Sequence, residues 1–193
     1  MKKILLLTTL LATFLVQAQQ TNNETKRKVF NIAVRTGANL SKYTNVGADF
    51  QTAYYVGVSL PIEIAKVYTL NPEINFSAQG AKGIETNEYY FGSTNNTSKF
   101  DLKANYLSFN IVNRFYVNKL FFDFGPGLDF LLTKDTSIES DIDITFNVGL
   151  GYKLTDKILI QSRYKHGIVD AVTVTPVVDS KNQVISLGIQ YKL

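Results

Sequence analysis

The 193-residue sequence contains no cysteine, which excludes several kinds of chemistry at once. The chain can form no disulfide, thiol nucleophile, thiolate metal site or lipidated N-terminal cysteine. His166 is the only histidine, so a metal site built from several histidines of one chain is also excluded. Charge is modest as well, at 19% charged residues and a formal net charge of +4, and basic residues cluster only at 26–28. We therefore expect no nucleic-acid partner.

Long apolar runs are missing after the N-terminus, which argues against a helical membrane protein. At the N-terminus, Lys2 and Lys3 precede an apolar stretch over 4–16, and 16–18 read Val-Gln-Ala, a small-residue cleavage pattern. These features predict export by a signal peptide over 1–18, a flexible segment over 19–28 and one domain over 29–193. The alternative is an uncleaved anchor helix, for which the apolar run is short.

What the sequence does contain is a strict alternation over 141–154. Every second residue from Ile142 to Leu154 is apolar, and the residues between them are polar or glycine. A period of two indicates a β-strand with one apolar and one polar face. Glycine weakens a strand, so its presence on the polar face suits a crowded interior better than a water-facing surface.

The same alternation recurs along the chain and predicts eight strands, at 29–40, 51–60, 67–78, 102–117, 120–132, 141–154, 158–167 and 183–193. Pro72 predicts a bulge or a later start of the third strand, because proline cannot donate to a sheet ladder. Long connections at 41–50, 79–101, 133–140 and 168–182 alternate with short ones at 61–66, 118–119 and 155–157. Short periplasmic turns and longer external loops are typical of outer-membrane barrels. The predicted fold is all-β, an eight-stranded antiparallel up-and-down transmembrane β-barrel.

Alternation does not show which face is inside. A soluble lipocalin-like barrel binding an apolar ligand would turn the apolar face inward. The glycines of the polar face and the loop lengths favour a membrane barrel with a plugged polar lumen, since eight strands leave room only for side chains. The predicted lumen charge network comprises Arg35, Glu73, Arg114, Asp123, Asp129, Asp141, Asp143, Arg163 and Lys165. The alternative is that these charges are solvated on a sheet surface.

The register of neighbouring strands tests this charge network, because charges buried in the lumen need partners of opposite sign. A two-residue turn at 118–119 would place Arg114 opposite Asp123. A three-residue turn at 155–157 would place Arg163 opposite Gly149, which leaves room for the arginine side chain.

Five stretches, at 106–111, 125–128, 147–152, 163–168 and 186–193, resemble the outer-membrane β-barrel (porin-like, PorT-type) family of Gram-negative bacteria. The sequence departs from that family at Asn110, where proline is common, and at Leu193, where a terminal aromatic is common. The resemblance implies the fold and a location in the cell outer membrane. It implies no shared reaction.

Candidate catalytic groups are few. Ser162 and His166 share a strand face, but four residues along a strand span about 13 Å, too far for a nucleophile and its base; a loop serine is the alternative. Asp129, Asp141 and Asp143 suggest either a cation site or charge balance with Lys165.

We expect no enzyme activity and no cofactor. The expected role is structural, or surface interaction through the external loops. The expected partners are outer-membrane lipids and a surface or envelope protein, with the chain a monomer. The alternative is a small pore or a carrier for small solutes.

Overall fold

The computed structural model describes residues 31–88, 96–133, 140–170 and 179–193. They form one antiparallel sheet of nine strands: β1 Ala33–Tyr43, β2 Asp49–Ser59, β3 Ile62–Ala65, β4 Tyr68–Glu88, β5 Asn96–Val117, β6 Leu120–Thr133, β7 Ile142–Lys153, β8 Ile158–Asp170 and β9 Lys181–Lys192. Strand β1 pairs with β9 and β2 pairs with β4, so the sheet closes into a barrel. The predicted segments 1–18 and 19–28 lie outside the described residues. Within the described ranges, no helix is long and apolar enough to span a membrane.

Strands β2 and β3 together form one wall of the barrel. Ser59 lies opposite Glu73 and Ile62 opposite Leu70, so both strands follow β4 in a single register. The eight-stranded barrel is therefore confirmed, with one strand interrupted at Pro61. The predicted connection over 61–66 is wrong because a proline that lacks an N–H breaks the ladder without ending the strand. The connection that remains is the two-residue turn at 66–67.

Pro72 also leaves the register intact. Residues 71–73 pair one by one with residues 112–110 of β5, without a shift. The N–H of Leu60 donates to the Pro72 carbonyl over 2.9 Å. Pro72 therefore still accepts a hydrogen bond from the neighbouring segment, although it has no N–H to donate. The predicted bulge or late strand start is wrong, since β4 begins four residues earlier, at Tyr68.

The long connections lie at one end of the barrel, which we call the loop end, and the short ones at the other, the turn end. The predicted loop over 79–101 is largely wrong, because β4 runs to Glu88 and β5 starts at Asn96. Pairing with β2 reaches only Lys82 and pairing with β6 only Asn105, so the β4–β5 hairpin projects beyond its neighbours. Strands extend by five residues in total into each of the predicted loops 41–50 and 168–182, whereas the predicted loop 133–140 loses Thr133 and gains Asp141.

The hairpin is polar outside, which is why its composition resembles a loop. The Lys99 ammonium lies 2.7 Å from the Glu85 carboxylate on the paired strand. This hydrogen bond raises the pKa of Lys99 above its ordinary value. Such an exposed pair contributes little to stability.

The barrel turns its charges inward and its apolar residues outward. Arg114 and Asp123 are buried, whereas Leu150 and Leu187 are 59% and 61% exposed. This orientation confirms the membrane arrangement, because an apolar belt of this kind needs lipid around it. The outward orientation of the apolar residues does not favour the alternative of a soluble lipocalin-like barrel. The alternative of solvated charges is wrong for the buried members of the network.

An apolar cluster, the outer cap, fills the lumen at the loop end. Its buried members are Tyr43, Val46, Ala81, Ile84, Leu102, Ala104 and Tyr106. Most of them come from ranges that the sequence suggested were loops, so the outer cap was not predicted. Two of its hydroxyls, those of Tyr43 and Tyr106, lie 3.3 Å apart.

Replacing Tyr106 by phenylalanine is expected to lower the free energy of unfolding by about 1 kcal/mol, because the Tyr43 hydroxyl loses its buried partner. Urea unfolding in phospholipid vesicles measures the effect. Tyr164→Phe, which removes an exposed hydroxyl from the outer surface, is the control. Equal effects of the two changes would show that the buried pair has no special role.

Candidate functional site: a buried ion network in the lumen

The core of the site is a row of side chains across four neighbouring strands. Arg114 on β5 lies opposite Asp123 on β6, and Asp123 lies opposite Gly149 on β7. Gly149 in turn lies opposite Arg163 on β8. Both register predictions are confirmed. Because Gly149 has no side chain, Arg163 reaches over it and donates to the Asp123 carboxylate over 3.0 Å.

Two carboxylates hold three guanidinium groups in this cluster. Arg114 donates to both oxygens of Asp123, over 2.8 and 2.9 Å, in a two-pronged pair. Glu73, from β4, accepts from Arg163 over 2.6 and 3.1 Å and also pairs with Arg35 of β1. All five side chains are at most 7% exposed. We call these five residues the ion network.

The surplus positive charge of the ion network is met by amide oxygens. Arg114 donates to the side-chain carbonyls of Gln190 and Gln161, each over 3.0 Å. Asn71 donates to Glu73 over 2.9 Å, which occupies a further lone pair of that carboxylate. These bonds satisfy part of the remaining donors and acceptors of the buried charges, which lowers the cost of burying them.

The other predicted charges lie nearer the loop end. Lys165 pairs with Asp129, which also accepts from Gln79 over 3.3 Å. Asp143 lies opposite Asp129 on the neighbouring strand and accepts from the backbone N–H groups of Ile168 and Val169, over 3.2 and 3.1 Å. These groups are buried.

Asp141 differs from these charges in position, because it precedes β7 and is exposed. The pairing of Asp129 with Lys165 is the charge-balance arrangement rather than the cation site. Within the described ranges, no group of three or more histidine, cysteine, aspartate or glutamate residues could hold a metal ion.

Aromatic rings complete the lumen and depend on glycines beside them. Tyr55 lies opposite Gly37, and a Cβ built on Gly37 would come within 2.8 Å of the Tyr55 ring. Phe121 lies opposite Gly151 in the same manner, and the Arg114 guanidinium is 4.1 Å from the Phe121 ring centre. The contribution of Phe121 was missed, although its alternation with Asp123 places it on the lumen face.

Little space remains inside. A cavity of about 30 Å³ lies between the ion network and the outer cap, with Arg35, Tyr55, Arg163 and Lys165 among its walls. That volume holds about one or two water molecules. The arrangement can therefore hold the barrel walls together electrostatically, and it leaves no room for a solute between the ion network and the outer cap.

His166 lies on the outward face of β8, beside an aromatic residue rather than near a nucleophile. Its Nδ1 atom is 3.2 Å from the hydroxyl of Tyr164, and the two rings stack. This contact holds the His166 ring on the outer surface of the barrel.

Comparison with known proteins decides the family. A sequence model of the outer membrane protein beta-barrel domain matches residues 6–192. The chain belongs to this family. It is accordingly a protein of the bacterial outer membrane, surrounded by lipid. The PorT-type assignment within the family stays a prediction.

Solved structures of outer-membrane barrels share the fold. Neisserial surface protein A is 16% identical, with a TM-score of 0.54, over 84% of this chain and 97% of that one. Ail of Yersinia pestis, in a phospholipid nanodisc, is 15% identical with a TM-score of 0.52, over 85% and 99%. The outer membrane enzyme PagL is 14% identical with a TM-score of 0.48, over 84% and 99%. At these identities the likeness concerns the fold alone. No curated protein matches the chain.

Proposed function

We propose that this outer-membrane barrel does not conduct, and that its role is structural or surface interaction through the loop end. The observation that carries the proposal is the ion network, which links five strands across the lumen through Glu73 and Asp123. The outer cap above it and the cavity of about 30 Å³ between them support the same conclusion. We further propose that the protein acts as a monomer, without catalysis or a cofactor.

The β4–β5 hairpin supports a surface role. It extends beyond the pairing range of both neighbouring strands, and its inner face is anchored in the outer cap by Ile84 and Leu102. The described base of the hairpin, held in this manner, presents its polar outer face to a surface or envelope partner with little loss of conformational entropy on binding.

Planar-bilayer recording tests the closed lumen. The refolded protein is expected to insert without stable current steps, because the ion network crosses the lumen and the cavity beside it measures only about 30 Å³. A porin inserted into the same bilayer is the positive control. Stable, reproducible channels from the wild-type protein would support the alternative role of a small pore.

Cysteine labelling tests which end faces outward, and the cysteine-free chain provides a clean background. Lys99→Cys, on the hairpin, is expected to react with a membrane-impermeant maleimide on intact cells. Lys119→Cys, in the β5–β6 turn, is the matched control and should react only after the outer membrane is permeabilised. The reverse pattern would place the turn end at the cell surface and overturn the surface role of the hairpin.

A further inference from the structure

The turn end of the lumen opens into a pocket that the ion network does not use. This vestibule has a volume of about 170 Å³. Its walls come from β3, β4, β5, β7, β9 and the adjoining turns, and comprise Glu63, Ala65, Lys66, Thr69, Tyr116, Asn118, Lys153 and Lys192. The ring of Tyr116 packs 5.7 Å from that of Phe121, which separates the vestibule from Arg114.

The vestibule lies in a strongly basic region. The described charged residues of the turn end are five lysines and two acids: Lys66, Lys119, Lys153, Lys157, Lys192, Glu63 and Asp156. Three of the lysines line the vestibule itself. A concave surface with an excess of one sign, backed by a low-dielectric wall, concentrates counter-ions of the opposite sign.

Two of the vestibule lysines have acidic partners that are more exposed than the lysines themselves, and one of these partners, Glu63, also lines the vestibule. Lys192 contacts Glu63 over 3.2 Å, and the side chains are 15% and 62% exposed. Lys153 contacts Asp156 over 2.7 Å, and Asp156 is almost fully exposed. The hydrogen bond from Lys153 lowers the pKa of Asp156, which is therefore ionised at neutral pH. Exposed carboxylates are screened by water and salt, and each ammonium keeps donors for a further acceptor.

Neutral donors lie among the lysines. The hydroxyl-bearing side chains of Thr69 and Tyr116 and the amide side chain of Asn118 line the same walls. Donors that converge from several strands suit a tetrahedral oxyanion, whose oxygens point in different directions, better than a planar carboxylate. The volume also exceeds that of a single water several times over.

We propose that the vestibule binds a phosphate group. Its source is either the head group of an anionic phospholipid in the leaflet at the turn end or free inorganic phosphate. The lipid source fits the position of the lysines at the membrane boundary, where basic side chains reach phosphates.

The full chain in phosphatidylcholine nanodiscs allows a direct test. Inorganic phosphate is titrated while the amide NMR signals of Thr69, Asn118 and Lys192 are followed. In a second arm, the same signals are compared in nanodiscs of phosphatidylcholine with and without phosphatidylglycerol. Saturable shifts in the first arm indicate free phosphate, and shifts in the second arm alone indicate the lipid head group. The absence of saturable shifts in both arms would overturn the proposal.

Paired variants separate a built site from diffuse charge. Lys153→Gln with Lys192→Gln is expected to weaken the apparent affinity at least about tenfold. Lys119→Gln with Lys157→Gln removes the same charge from turn lysines outside the vestibule and should weaken it about twofold at most. Equal losses in the two double variants would contradict the site. Thr69→Val keeps every charge and should also weaken binding. It replaces the double lysine variant as the test if that variant fails to fold.

Discussion

Replacing Glu73 by glutamine is expected to lower the free energy of unfolding by about 3–5 kcal/mol, because it leaves two buried guanidinium groups without their shared counter-charge. Glu73 pairs with Arg35 and with Arg163, and its side chain has no exposed surface. Asp123 would then be the sole carboxylate of the ion network, facing three arginines. Glutamine has nearly the shape of glutamate, so the effect reports charge rather than volume.

Urea unfolding in phospholipid vesicles, followed by far-UV circular dichroism and by heat-dependent gel mobility, measures this loss. Glu63→Gln is the matched control: it removes a carboxylate from the same wall, but one that is 62% exposed beside Lys192. Its expected effect is at most about 1 kcal/mol. High salt should reduce the small effect and leave the large one, since buried pairs are poorly screened. A Glu73→Gln variant as stable as the control would show that the ion network does not hold the barrel.

A double-mutant cycle with Arg35→Met identifies the pair. Glu73→Gln alone leaves Arg35 without its carboxylate partner, and Arg35→Met alone leaves Glu73 paired only with Arg163, whereas the double variant removes one charge of each sign. We therefore expect a coupling energy of about 1–3 kcal/mol, so that the double variant is more stable than additivity predicts. Strict additivity would mean that Arg35 and Glu73 do not interact in solution.

Part of this network could be predicted from the sequence, because short turns fix register. The two residues at 118–119 connect strands that pair from Val117 and Leu120 outward, which leads directly to Arg114 and Asp123. Alternation then decides which side chains share the lumen. The contacts that run along neighbouring strands were predictable for this reason.

The contacts across the lumen were not predictable. Glu73 on β4 meets Arg163 on β8, although three strands separate them in the sheet. Which walls face each other depends on strand tilt and shear, which a pattern of period two does not specify. The position of Glu73 between two arginines is therefore a property of the closed barrel.

The β4–β5 hairpin and the outer cap were missed for a different reason, which is that the alternation along β4 is interrupted. Residues 79–101 are rich in polar and turn-forming types, yet Ala81 and Ile84 on one strand and Leu102 and Ala104 on the other face the lumen. Gly83, at φ 62°, lies where the register shifts between Ala81 and Ile84 and moves the alternation out of phase. A single period no longer fits across that point, so the strand resembles a loop.

Replacing Gly188 by valine is expected to cost about 3 kcal/mol, because it overfills the place where the barrel closes. Gly188 on β9 lies opposite Gly37 on β1, in the pairing that joins the first and last strands. Tyr55 covers both glycines. A Cβ on Gly188 would overlap the Tyr55 hydroxyl and the Thr36 carbonyl, so valine must displace the ring or open the seam.

Vesicle unfolding of Gly188→Val is compared with Leu187→Val, a lipid-facing change on the adjacent residue that should shift stability by only about 0.5 kcal/mol. The cycle with Tyr55→Ala locates the cause. If the ring is what valine displaces, the cost of Gly188→Val falls by about half or more once Tyr55 is truncated, since contacting sites are not additive. An unchanged cost would assign the strain to the Thr36 carbonyl instead. Glycine would then be required at position 188 by the close approach of the β1 and β9 backbones, and Tyr55 would only fill the space above it.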